Sequence, residues 1–155
     1  MYSVLYVDDE QSLLDLCRTY LEKDPVFSVD TAGSAAEAME KIGTASFDII
    51  VSDYQMPEMD GIAFLQEVRS RFGPIPFILF TGKGREDVVI RAIDSGADFY
   101  IQKGGAAGPQ FAELAHKIRA AIDRRRSARE LQENQSLLQH FRASLDWASD
   151  EVYWL

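Results

Sequence analysis

Five times along this chain a short apolar run of strand length gives way to a segment with apolar residues at helical spacing. The strand-like runs are Tyr2 to Val7, Val26 to Thr31, Phe47 to Ser52, Ile75 to Phe80 and Ala97 to Ile101. Between them Leu13, Cys17, Tyr20 and Leu21, then Ala35, Ala38, Met39 and Ile42, then Phe64, Leu65, Val68 and Phe72, then Val88, Val89, Ala92 and Ile93 mark helical faces. Strict alternation of this kind implies an α/β fold, a doubly wound five-stranded parallel sheet covered by helices on both sides. The near-continuous apolar strands agree, because a parallel sheet is buried on both faces.

Punctuation supports the same division. Asp24-Pro25 and Gly73-Pro74 stop helices, Ser34 with Glu37 three residues on has the pattern of a capping box, and Gly43 and Gly96 stand at helix ends. Pro109 suits the first turn of a fifth helix, with Phe111, Leu114, Ala115, Ile118 and Ile122 turned inward. From Gln110 onward neither Gly nor Pro occurs, so this helix is expected to extend far beyond the others. Leu131, Leu138 and Leu145 are seven apart, each followed three residues on by Asn134, Phe141 and Ala148, the spacing of a short coiled-coil seam. The expectation is a homodimer through this helix.

The chemistry gathers where strands end. Asp8 and Asp9 follow the first strand, Asp53 the third, Thr81 the fourth and Lys103 the fifth. In a parallel sheet these ends share one edge, the edge at which open α/β sheets bind ligands. Carboxylates packed together remain ionised only with a cation among them. Oxygen donors with no His or Cys beside them suit Mg2+ or Mn2+. A carboxylate nucleophile, a metal, a lysine and a hydroxyl are the parts for placing a phosphoryl group on aspartate.

Other classes are disfavoured. The formal net charge of −9 opposes general nucleic-acid binding, which needs basic surface. No apolar run approaches the ~20 residues of a membrane span. The single cysteine, Cys17, excludes an internal disulfide and reads as a small core residue. With no basic segment at the start, the expected setting is the cytoplasm.

With its acidic pair Asp8-Asp9, the stretch Asp53-Tyr54-Gln55-Met56-Pro57-Glu58-Met59-Asp60-Gly61, Thr81-Gly82, the segment Gly96-Ala97-Asp98-Phe99-Tyr100 and Lys103, the chain resembles a response-regulator receiver domain of two-component signalling, CheY-like and flavodoxin-like in fold. The resemblance covers residues 1–124. It implies that Asp53 accepts a phosphoryl group from a histidine kinase or a histidine phosphotransfer protein. It implies Asp9, Asp53 and the backbone carbonyl of Gln55 as direct metal ligands, with Asp8 acting through a bound water. Lys103 pairs with Asp53 and then with the phosphoryl group, Thr81 turns towards it, and Tyr100 changes rotamer. Gln55 and Lys83 take the positions that tune the lifetime of the aspartyl phosphate. The switched face is helix four, strand five and helix five. Phosphorylation of Asp53 adds roughly −1.5 to −2 charge, enough to shift a two-state equilibrium.

One departure stands out. The family usually carries Lys-Pro with a cis peptide, where this chain has Lys103-Gly104. A cis bond before a residue other than proline costs about 2.5–4 kcal/mol, so a trans peptide is expected. Residues 125–144 read as a helical linker. Residues 145–155 resemble the opening of a PAS-like domain, with a short helix, an acidic turn and a first strand. Three rival readings are weighed beside this one. An aspartate-nucleophile phosphatase of the haloacid-dehalogenase type would need Asp-x-Asp after the first strand, where this chain has Asp8-Asp9-Glu10. A flavodoxin-like cofactor binder would need a phosphate loop there. An interaction domain that is never phosphorylated would have no use for the intact acidic pair, Asp53, Thr81 and Lys103.

Overall fold

A computed structural model describes residues 1–82 and 85–153, with side chains described as far as Leu145. The elements run β1 (Tyr2–Val7), α1 (Gln11–Leu21), β2 (Phe27–Ala32), α2 (Ala35–Thr44), β3 (Ile49–Ser52), α3 (Gly61–Phe72), β4 (Phe77–Thr81), α4 (Glu86–Asp94), β5 (Phe99–Gln102) and α5 (Ala107–Tyr153). The sheet is wholly parallel, in the order β2-β1-β3-β4-β5. This is the flavodoxin-like doubly wound (βα)5 arrangement with a long C-terminal helix.

Alternation along each strand divides the core in two. Val4 and Tyr6 of β1, Ile49 and Val51 of β3, and Ile78 and Phe80 of β4 pack against α1 and α5. Leu5 and Val7, Ile50, and Phe77 and Leu79 face α2, α3 and α4. Because both faces are dry, every residue of β3 and β4 is buried, which explains why these strands read as unbroken apolar runs. Cys17 lies in the α1–α5 core, where burial raises its thiol pKa above the usual range.

Helix ends follow local chemistry. Ser34 accepts a hydrogen bond from the Glu37 N–H, and the Glu37 carboxylate reaches back to Gly33 N–H. Asp60 caps α3 by accepting from Ala63 N–H. Gly73 ends α3 with φ 84°. Several boundaries differ from expectation: β2, β3 and β4 begin at Phe27, Ile49 and Phe77 rather than at Val26, Phe47 and Ile75. Gly43 lies inside α2, which continues to Thr44 and closes on Ala45. The fifth strand begins at Phe99, because Gly96 (φ 99°) and Ala97 cap α4 and Asp98 is engaged with Phe77. On α1 the core face is Leu14, Cys17 and Leu21, with Leu13 and Tyr20 half-buried beside it. No cis peptide occurs among the described residues, so Lys103–Gly104 is trans.

By internal contacts the chain forms two units, Met1–Ile122 and Asp123–Leu155. In the second, Leu131, Leu138, Phe141 and Leu145 are each more than half exposed. The helix continues through Val152 and Tyr153, where an acidic turn and the start of a strand were expected, and Trp154 and Leu155 lie outside the described residues. No helix among the described residues is long and apolar enough to cross a membrane.

Candidate functional site

The strand order reverses between β1 and β3, since the chain leaves β1 for β2 on one side and places β3 on the other. A crevice opens at the carboxyl ends of two such strands. Asp8 and Asp9 stand at the end of β1, and Asp53 at the end of β3. One carboxylate oxygen from each of the three lies within 4.8 Å of the others. Lys103 and Thr81 join them from the next strand ends, tied together by Lys103 N–H to Thr81 O at 2.8 Å.

Each side chain has a distinct environment. Asp8 is fully buried. Its Oδ1 accepts from Glu10 N–H at 3.0 Å, and its Oδ2 accepts from both the Tyr6 hydroxyl at 3.0 Å and Lys103 Nζ at 2.7 Å. Asp9 is exposed. Asp53 is 8% exposed, and its Oδ1 accepts from Tyr54 N–H at 2.9 Å. Burial holds the Asp53 carboxyl above the ordinary range; Lys103, the Thr81 hydroxyl that donates to it and the Tyr54 N–H pull the other way, while Asp8 adds to the rise. Lys103 Nζ is 3.7 Å from Asp53 and 2.7 Å from Asp8, so in this state its tighter partner is Asp8 rather than the expected Asp53. It also sits 5.5 Å over the Phe80 ring, within cation–π range.

The remaining predicted residues fall around this centre. Gln55 is exposed and shares with Asp9, Tyr54, Met56, Pro57 and Asp60 a cleft of about 440 Å³. Tyr100 is half-buried on β5; burial and then the Asp53 charge raise its phenol pKa. Lys83 lies outside the described residues.

Two contributors were not singled out by the sequence reading. Tyr6, buried in β1, turns its hydroxyl to Asp8; burial first and the Asp8 charge second hold this phenol far above its usual range. The signal available was a tyrosine hydroxyl two residues before Asp8 and thus on its face. Gly61 was read only as a turn marker. Its N–H donates to Tyr54 O, and a Cβ there would fall 2.3 Å from the Asp53 carbonyl oxygen. Only glycine lets α3 start this close to the acidic residue.

An all-oxygen donor set of three carboxylates fits a hard divalent cation such as Mg2+ or Mn2+, and no nitrogen or sulfur ligand competes within it. With a lysine and a threonine hydroxyl at the same rim, the arrangement is poised for Mg-dependent phosphorylation of a carboxylate.

Comparison with known proteins agrees. The response regulator SaeR of Staphylococcus aureus is 39% identical over 103 residues, 66% of this chain and 44% of the relative, so the match spans less than half of that protein. A receiver domain protein from Clostridium thermocellum superposes with a TM-score of 0.73 at 29% identity, covering 83% of this chain and 99% of that one. Response regulator TrrA of Thermotoga maritima, solved in complex with Mg2+ and BeF, superposes with a TM-score of 0.68 at 26% identity, covering 78% and 99%. The family model of the response regulator receiver domain matches residues 4–116, and the chain belongs to that family.

Proposed function

We propose that Asp53 is the phosphoacceptor of a two-component relay and that the donor is the phosphohistidine of a histidine kinase or a histidine phosphotransfer protein. An Asp53 oxygen forms the new bond to phosphorus as the P–N bond breaks, and the imidazole nitrogen leaves with the electron pair. The observation that carries this is the convergence of Asp8, Asp9 and Asp53 with Lys103 and Thr81 at the β1/β3 crevice. Asp8, Asp9 and Asp53, with the Gln55 carbonyl, are the residues that would hold Mg2+ or Mn2+, and the cation supplies charge neutralisation on phosphoryl oxygens.

The chain's own groups do the rest. Lys103, a mobile ammonium with several donors, moves from its place between Asp8 and Asp53 to a phosphoryl oxygen. The Thr81 hydroxyl follows, and Tyr100 on the adjacent strand changes rotamer into the space released. Those two residues couple the event to α4, β5 and the start of α5. Gln55 and Lys83 tune how readily water reaches the aspartyl phosphate. That TrrA binds Mg2+ and BeF supports the same chemistry here.

Residues 1–124 act as the receiver and 125–144 as a helical linker through which two copies pair. The PAS-like reading of residues 145–155 rests on the sequence, since Val152 and Tyr153 continue α5.

The test is incubation with acetyl phosphate and Mg2+, read by intact mass. One phosphoryl group on the unsubstituted chain and none on Asp53→Asn is expected. Equal labelling of both overturns the assignment.

A further inference from the structure

Asp8 is held on both of its oxygens. It is fully buried, Glu10 N–H occupies Oδ1, and Lys103 and Tyr6 share Oδ2. A buried carboxylate that loses a donor has no bulk water to replace it. Yet the phosphoacceptor reading requires Lys103 to loosen from Asp8 when a phosphoryl group arrives on Asp53.

We propose that Tyr6 is a positioning residue of the phosphoacceptor site: its hydroxyl holds Asp8 in place while Lys103 moves from the shared oxygen towards the phosphoryl group. This rests on the reading of Asp53 given above. Tyr6 is suited to the task because it is rigid. Its residue is wholly buried, its ring lies 6.3 Å from that of Phe80, and it belongs to the core beneath α1 and α5. The phenol O–H therefore reaches Asp8 from a side chain packed in the core. It donates whether or not Lys103 is there. Without it Lys103 becomes the sole side-chain donor to Oδ2, and leaving Asp8 is harder.

Tyr6→Phe removes one oxygen and keeps the ring. The full chain is phosphorylated with acetyl phosphate at saturating Mg2+, and Mn2+ binding is measured separately by electron paramagnetic resonance without a phosphodonor. The maximal rate of phosphorylation should fall about fivefold, the equivalent of one net hydrogen bond, while the Mn2+ Kd stays within about twofold. An unchanged maximal rate, or a loss explained in full by weaker Mn2+ binding, overturns the role given to Tyr6. An unsubstituted chain that takes no phosphoryl group refutes the phosphoacceptor reading, and this role with it. Should Tyr6→Phe fail to fold, the unsubstituted protein carries the test by NMR. The Tyr6 hydroxyl proton should stay protected and move downfield when Mg2+ and beryllofluoride are added; a resonance that does not move overturns the proposal.

Discussion

Lys103 Nζ lies 2.7 Å from Asp8 Oδ2, a charge-assisted bond to a carboxylate that has no solvent exposure. The lysine is thereby the standing counter-ion of an acidic rim in a chain of net charge −9. Lys103→Met leaves Asp8 buried and short of its cation, and breaking a buried pair from one side costs about 3–5 kcal/mol. Urea unfolding with chelator present should show a loss towards the lower end of that range, because Tyr6 and Glu10 N–H still serve Asp8. Millimolar Mg2+ should recover part of it. A Lys103→Met chain as stable as the original without metal contradicts this account.

Asp53 gives the opposite sign. Burial raises its pKa above the ordinary 3.8, so the folded chain holds this proton more tightly than the unfolded chain does. Stability therefore falls as pH rises from 3.8 through the folded-state titration, and the full penalty remains once Asp53 is ionised. Asp53→Asn keeps the shape without the charge. In chelator it should unfold at a higher temperature than the original at neutral pH, and the advantage should fade as pH falls towards 3.8. Saturating cation should reverse the ranking, since a ligand at 100 times its Kd stabilises by about 2.7 kcal/mol. A variant less stable than the original at neutral pH without metal would count against the raised pKa.

The fold and the acidic centre could be read from the sequence because each rests on a strong local signal. Two-sided burial makes β3 and β4 apolar up to a terminal Ser52 and Thr81, and the acidic residues directly follow β1 and β3. Boundaries were less legible where residues serve tertiary contacts. Asp98 looked like strand, yet its carboxylate accepts from Phe77 N–H across to β4, which no periodicity reveals. Which acid holds Lys103 was equally hidden, because the 2.7 Å contact joins residues 95 apart in the chain. After Leu145 the described residues continue α5 to Tyr153, in keeping with the lack of Gly and Pro from Gln110 onward.

Gly61 and Gly43 make a matched pair of tests. A methyl at Gly61 would meet the Asp53 carbonyl oxygen at 2.3 Å and the Tyr54 Cα at 3.0 Å, both backbone, so the α3 start must move. Gly61→Ala should cost about 1–3 kcal/mol, as overpacking does, and should lower beryllofluoride binding by shifting Asp53. Gly43 lies exposed inside α2, with nothing within 4 Å of a built Cβ. Gly43→Ala should stabilise by about 0.5–1 kcal/mol with the site unaffected. Both are measured by urea unfolding, and equal effects of the two substitutions would sink the argument about close approach.

The second unit carries the last prediction. Leu131, Leu138, Phe141 and Leu145 are 60%, 57%, 60% and 51% exposed, and they fall on one heptad seam with Asn134. Helices depend on packing an apolar face for most of their stability, and this face has no partner within the unit's described residues. Two copies pairing along the seam would bury four such side chains from each. These side chains are already partly covered, so pairing along so short a seam predicts a dimer of modest affinity. A polar Asn134 at a core position lowers the affinity while fixing the register. Light scattering at high micromolar concentration should therefore give twice the chain mass. Leu138→Asp places two carboxylates face to face at the centre of the seam and should return the chain to monomer, with phosphorylation of Asp53 by acetyl phosphate unchanged. A monomer at that concentration before any substitution removes the case for pairing through α5.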